Sequence, residues 1–216
     1  MAGVSDDQIG VLALWNDCTP GHEHKYENWY QNEHLRDRLR VPGFRVGRRY
    51  EAVDGTPQFF TYYETDSVDV LFSNVYLAQV NNPSPMTREI MARTFINMNR
   101  TVCTRTWCEG RMTSAFVVTI RAEDDADAVD DAGMQAFARD LDVGRVEKWT
   151  AVTEDVNTST EETLRGGDST IGNCIVVHVL REEHARKLSR KLRLSLGNKT
   201  EIGIYHLLCE LRADGA

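Results

Sequence analysis

Tyr26-Glu27-Asn28-Trp29-Tyr30-Gln31-Asn32-Glu33-His34, continued at Val41-Pro42-Gly43-Phe44, is the stretch on which the reading of this chain turns. Tyr26, Trp29, Tyr30, Glu33 and His34 recur at helical spacing and share one broad face. The pattern predicts an amphipathic helix ending at Leu39 or Arg40, a Pro-Gly turn and a strand. Aromatic residues on that face are expected to pack on a sheet. An acid and an imidazole on the same stripe are not, because burying them costs free energy unless they find partners.

Downstream, Phe44 to Val53 reads as a strand with Phe44, Val46, Arg48, Tyr50 and Ala52 on one face and Arg45, Gly47, Arg49 and Glu51 on the other. Asp54-Gly55 is a hairpin turn signal, and Gln58 to Glu64 is the next strand. Val68 to Val80 reads as a helix with Val68, Leu71, Phe72, Val75 and Tyr76 on its apolar side. Ser84-Pro85 has the form of an N-cap and first helical residue, followed by a stripe of Met86, Ile90, Met91 and Phe95. Thr101 to Trp107 alternates as a strand. Upstream, Ile9 to Asn16 is an apolar strand, and Thr19-Pro20 is read as the start of the first helix.

The second half repeats this order. Ala115 to Arg121 is a strand, Glu123 to Asp131 an acidic linker, and Gly133 to Leu141 a helix burying Met134, Phe137, Ala138 and Leu141. Val143 to Thr153 is a strand, and the polar run Glu154 to Gly167 reads as a mobile hairpin loop. Ile171 to Leu180 is a strand, Glu182 to Leu196 a basic amphipathic helix with Ala185, Leu188, Leu192 and Leu196 inward, and Glu201 to Leu211 the last strand. The expectation is an α+β fold. Two ferredoxin-like β-α-β-β-α-β modules, residues 8–110 and 111–216, would close one barrel within the chain.

The 216 residues carry a formal charge of −8, which argues against a general nucleic-acid or anionic-membrane binder. No apolar run approaches the roughly 20 residues of a membrane span. Met1 to Asp7 is short and acidic and lacks the pattern of a signal peptide. Five scattered cysteines suggest neither a disulfide framework nor a zinc knuckle, so reduced thiols in a cytoplasmic protein are expected.

The first half resembles the dimeric α/β-barrel superfamily, and within it the EthD-like proteins. The resemblance rests on Tyr26, Trp29-Tyr30, Glu33-His34, Pro42-Gly43-Phe44 and Arg48-Arg49-Tyr50, with a weaker match from Asn82-Pro83 to Thr87. It covers residues 9 to 107; the second half matches by element order alone. That superfamily holds cofactor-free monooxygenases, muconolactone isomerase-like enzymes, polyketide cyclases and small decarboxylases or dehydratases, and some resembling proteins bind haem. The resemblance therefore implies a fold and a class of chemistry.

His34 is the first catalytic candidate, since an imidazole titrates near neutrality. The alternative is a hydrogen-bonded packing histidine near a helix end. Arg48 and Arg49 take opposite faces, and whichever faces a pocket would hold a carboxylate or enolate oxygen; the alternative is a structural arginine. Trp29, Tyr30, Glu33, Tyr50 and Tyr62 are the candidate substrate contacts, and the aromatic ones suit an ordinary core equally well. His22 and His24 read as surface histidines, while His178 and His206 would approach each other if their strands were neighbours. No metal or organic cofactor is expected.

The function expected is a lyase or isomerase, such as a decarboxylase, dehydratase or cyclase, acting on a small, unsaturated or aromatic acid by proton transfer through His34. Aromatic compound metabolism is the setting this suggests. The alternatives are a cofactor-free monooxygenase of phenols and a non-catalytic small-molecule-binding or stress-response barrel. The partner expected is a small-molecule substrate, with no nucleic acid and no membrane, and the outer helices leave room for a homodimer.

Overall fold

The computed structural model describes residues 9–122, 129–152, 158–197 and 200–214. Eight antiparallel strands close into one barrel. In chain order they are β1 (Gly10–Cys18), β2 (Phe44–Asp54), β3 (Phe59–Thr65), β4 (Phe95–Gly110), β5 (Phe116–Ala122), β6 (Val143–Ala151), β7 (Asn173–Val179) and β8 (Thr200–Arg212). Around the barrel the order is β1-β3-β2-β8-β5-β7-β6-β4. Each half thus follows the same plan, in which its first strand sits between its third and fourth and its second lies at an edge. The fold is α+β, made of tandem ferredoxin-like modules.

Two long strands seam the modules together. Phe95 to Thr104 of β4 pair with β1, and Cys103 to Gly110 pair with β6. Likewise Thr200 to His206 of β8 pair with β5, and Ile204 to Arg212 pair with β2. The edges that a four-stranded sheet would expose are therefore satisfied by the other module. The sequence pattern marks only Thr101 to Trp107 as the fourth strand; β4 runs further at both ends, where it pairs with β1 alone or with β6 alone.

Helices cover the outside. The first module carries α1 (Glu23–Trp29), a π-helical turn (Tyr30–His34), α2 (Leu35–Leu39), α3 (Asn74–Asn81) and α4 (Pro85–Arg93). The second carries α5 (Asp131–Ala138), α6 (Thr160–Arg165) and α7 (Glu182–Leu196). Three apolar clusters result: one between the first module's helices and sheet, one inside the barrel around Trp15, Phe60, Tyr62 and Trp149, and one under α5 and α7.

Several expectations are corrected. Thr19-Pro20 does not open α1: its N-cap is His22, and Thr19 instead donates its hydroxyl to the carbonyls of Arg93 and Thr94. The helix expected over Val68 to Val80 is broken at Ser73, whose hydroxyl accepts from the Tyr76 amide and starts α3, so Val75 lies exposed. A bulge between Phe44 and Val46 turns Phe44 away from Arg48 and into the helix layer, where it packs near Tyr63 and Tyr76. Helix α5 ends at Ala138, leaving Leu141 in solvent. The run expected as a mobile loop contains α6, capped by Ser159, although residues 153–157 lie outside the described part. His178 and His206 do not meet, because β5 lies between β7 and β8; His178 points into the barrel and His206 out. Most of the acidic linker, residues 123–128, is also outside the described part.

Two glycines set the approach of the first helices. Gly43 has φ 92°, which the turn into β2 requires. At Gly47 a Cβ would lie 2.7 Å from Leu35 Cδ1 and 2.8 Å from Tyr63 Cε1, so α2 rests directly on the strand. Gly47→Ala is expected to lower stability by about 1–3 kcal/mol through overpacking. The midpoint of urea unfolding checks it, and an unchanged midpoint would show that α2 yields freely.

Candidate functional site

The backbone at the first-module helix decides which side chains meet. The π-helical turn at Tyr30–His34 inserts an extra residue between α1 and α2, and such insertions often mark functional positions. It leaves Tyr26, Trp29, Tyr30 and His34 all buried against the sheet. The His34 ring stacks on Trp29 at 4.0 Å between centroids and meets Tyr30 edge-on at 5.3 Å.

Each neighbour is held in turn. Trp29 Nε1 donates to Thr87 Oγ1 at 3.0 Å. Glu33 does not face His34; its carboxylate accepts from Ser84 Oγ and Thr87 Oγ1 at the start of α4, at 2.5 and 2.8 Å. Arg49 lies under the helix, bound in bidentate fashion by Glu27 at 2.8 and 3.0 Å, with its guanidinium 3.9 Å from the centroid of the Tyr30 ring. Burial pushes the His34 pKa well below the ordinary value, and the positive charges of Arg38, Arg165 and Arg49 push it further the same way. The imidazole is therefore neutral at physiological pH.

Arg48 points the other way, into the barrel. It donates to Glu64 at 2.5 Å, Glu210 at 2.6 Å and the Tyr62 hydroxyl at 3.0 Å. Tyr62 also accepts from Arg145 at 3.2 Å, and Tyr50 stacks near it with ring centroids 6.0 Å apart. Arg145 Nη2 lies 3.1 Å from His178 Nε2 and its Nε lies 2.6 Å from Glu147 Oε1. Since arginine only donates, His178 Nε2 is the acceptor and its proton sits on Nδ1. Burial opposes the charge on Glu64, but Arg48 and Arg145 keep it below the usual carboxylate range.

The expected site is thus divided by the β2–β3 wall. Trp29, Tyr30, Glu33, His34 and Arg49 gather in the helix layer, while Arg48, Tyr50 and Tyr62 are in the barrel interior, which the chain's own side chains fill. Strand alternation alone separates Arg48 from Arg49. Clefts of about 760 and 640 Å³ open at the two ends of the barrel, the first floored by Glu64, Arg105 and Arg145, and neither is lined by His34.

Sequence reading missed the residues that complete the helix layer. Arg38 is buried one turn beyond His34; it binds Glu161 of α6 at 2.5 Å and Gln79 at 2.7 Å. Arg165 of α6 is held by Asp168 at 2.5 Å and lies over Phe95. Arg100 donates to the Tyr76 hydroxyl at 3.0 Å. No local pattern marks these residues as partners, because they come from separate segments of both modules. Among the described residues no group of His, Cys, Asp and Glu is placed to hold a metal, and His22 and His24 lie near the surface. All five cysteines are free. No described helix is long and apolar enough to cross a membrane.

Solved structures place this architecture. An anthrone oxidase-like protein matches 98% of this chain and 96% of its own at 12% identity, with a TM-score of 0.60. A candidate monooxygenase of Fusobacterium nucleatum matches 95% and 94% at 7% identity, TM-score 0.57. One from Lactobacillus acidophilus matches 95% and 97% at 6% identity, TM-score 0.51. This is the ferredoxin-like α+β barrel fold. At such identities the likeness concerns the fold. No family model matches the sequence. No curated protein matches it either.

The histidines of the two layers carry a common consequence. Burial lowers the pKa of both His34 and His178 in the folded chain, with Arg145 and Arg48 adding to the effect at His178. The unfolded chain then binds protons first as pH falls. Their contribution to stability is complete above the unfolded value of about 6.5 and is lost as pH drops below it, by at most about 1.4 kcal/mol per pH unit for each histidine. Urea midpoints at about pH 7.5 and about pH 5.5 should differ accordingly. Equal midpoints would show that both rings protonate without cost in the folded state.

Proposed function

We propose that this barrel is an enzyme that works without an organic cofactor, and that His34 takes a proton from a flat, enolisable or phenolic acid lying against Trp29 and Tyr30. The observation that carries the reading is the setting of His34: a buried ring stacked on an indole, its pKa held low by burial, with Arg38 and Arg49 of the first module close enough to act on its charge. A neutral imidazole is the form that accepts a proton. The surrounding guanidinium groups favour the anion that remains on the substrate. Arg48, Tyr50 and Tyr62 hold the barrel shut behind this layer. The division into an EthD-like first module, residues 8–110, that carries the chemistry and a second, 111–216, that completes the barrel belongs to the same proposal.

Return of the proton elsewhere, or loss of carbon dioxide or water from the anion, gives isomerase or lyase chemistry. The names of the fold neighbours, an anthrone oxidase-like protein and two candidate monooxygenases, favour a second reading in which the anion meets oxygen. An acidic methylene between aromatic rings would then give up both hydrogens and gain one oxygen as a ketone, the other oxygen of the dioxygen leaving as water. An oxygen electrode separates the two readings. Substrate turnover with no oxygen uptake supports the lyase or isomerase, and stoichiometric uptake the oxygenase. If His34→Ala turns over either class of substrate at the unaltered rate, the assignment of the base is wrong.

A further inference from the structure

Helix α6 belongs to the second module by sequence but rests on the first, against α3 and α4. Six residues do not hold a helix in water by themselves, so tertiary contacts keep it there. The apolar contact is small: Leu164 packs on the first module's cluster. The Thr160 amide donates to Asn81 Oδ1 at 3.0 Å. The strong contact is electrostatic. Glu161, itself buried, lies against buried Arg38 at 2.5 Å. Asp168, just past the helix, lies within electrostatic reach of Arg100. The chain leaves α6 through Gly166 and Gly167, with φ of 87° and 101° and open space around both.

Lifting α6 would therefore remove Glu161, Arg165 and Asp168 together and leave Arg38, which acts on His34, and Arg100, which is bound to Tyr76, without these carboxylates. A buried guanidinium stripped of its acid is costly, so the open state calls for another anion. Arg165 of α6 lies over Phe95, whose ring meets Trp29 edge-on, so lifting the helix would bare aromatic surface, and an anion that fits there carries a flat ring system.

We propose that Glu161 occupies, from within the chain, the seat of a substrate carboxylate, and that a flat aromatic carboxylate binds by displacing α6 and taking the place of Glu161 on Arg38. This rests on the reading that the His34 layer is the substrate site, and it adds the seat of the substrate's carboxylate and a built-in competitor for it.

The test is calorimetric titration of the full chain with 2-naphthoate and its neutral counterpart 2-naphthamide. The acid should bind and the amide should bind at least about tenfold more weakly, a tenfold difference being about 1.4 kcal/mol. Glu161→Gln removes the competing charge and should tighten naphthoate about tenfold, while Arg38→Gln should weaken it by about as much or more. Hydrogen exchange on the unaltered chain supplies a second measurement that needs no variant: amides of α6 should exchange faster with naphthoate bound. Equal binding of acid and amide, no binding of the acid, unchanged or weaker binding in Glu161→Gln, or slower exchange in α6 would each overturn the proposal. Failure of the catalytic reading is distinct: it appears as undiminished turnover in His34→Ala with this binding pattern intact.

Discussion

Glu147→Ala is expected to lose about 3–5 kcal/mol of stability, the cost of leaving buried charge without its partner. Glu147 is fully buried inside the barrel. Its carboxylate lies 2.6 Å from Arg145 Nε and 3.9 Å from Arg105 Nη1, and accepts from Trp149 Nε1 at 2.7 Å. Truncation leaves Arg145 with Glu64 at 3.6 Å, a carboxylate already engaged by Arg48 at 2.5 Å. Small folded proteins are stable by only about 5–15 kcal/mol, so the loss is a large fraction of the whole. Asp66→Ala is the contrast. Its pair with Arg45 at 2.6 Å is partly in solvent, and such pairs contribute about 1 kcal/mol or less. Urea unfolding of the two variants decides the matter: similar midpoints would mean that the interior charges are screened by water reaching in from the barrel end.

His34→Ala is expected to fold and to lose turnover by about two to four orders of magnitude, the usual contribution of a positioned general base. The variant also removes the ring that stacks on Trp29, so some stability is lost with it. His34→Phe separates the two effects. It keeps an aromatic ring against Trp29 and removes both nitrogens, and should match the alanine variant in turnover while melting closer to the unaltered protein. Turnover retained by His34→Phe would make His34 a packing residue, and the chemistry would have to lie elsewhere.

Much of this architecture can be read along the chain. The order of strands and helices in each half follows from alternation and helical spacing. The Ser84-Pro85 start of α4 and the extent of α7, Glu182–Leu196, agree with the structure. The alternation of β3, with Phe60 and Tyr62 inside and Phe59 and Tyr63 outside, is likewise a local property. The errors lie where one residue changes a register. The bulge near Arg45 reversed Phe44, and the bond from Ser73 to Tyr76 split a helix. Neither has a signature longer than a few residues, and tertiary packing selects it.

By itself, the amino-acid sequence determined that there are two β-α-β-β-α-β units, that an aromatic helix lies on the first sheet, and that Arg48 and Arg49 face opposite ways. These follow from periodicity, which is a property of the local backbone. The tertiary structure alone decided that β4 and β8 each join the two modules, that Arg48 is locked in the barrel by Glu64 and Glu210, and that Arg49 stays in the helix layer with His34. It alone brought Glu161 onto Arg38, residues separated by 123 positions. The physical reason is that a buried charge needs a partner close in space, and closure of the barrel sets which distant segments come within reach.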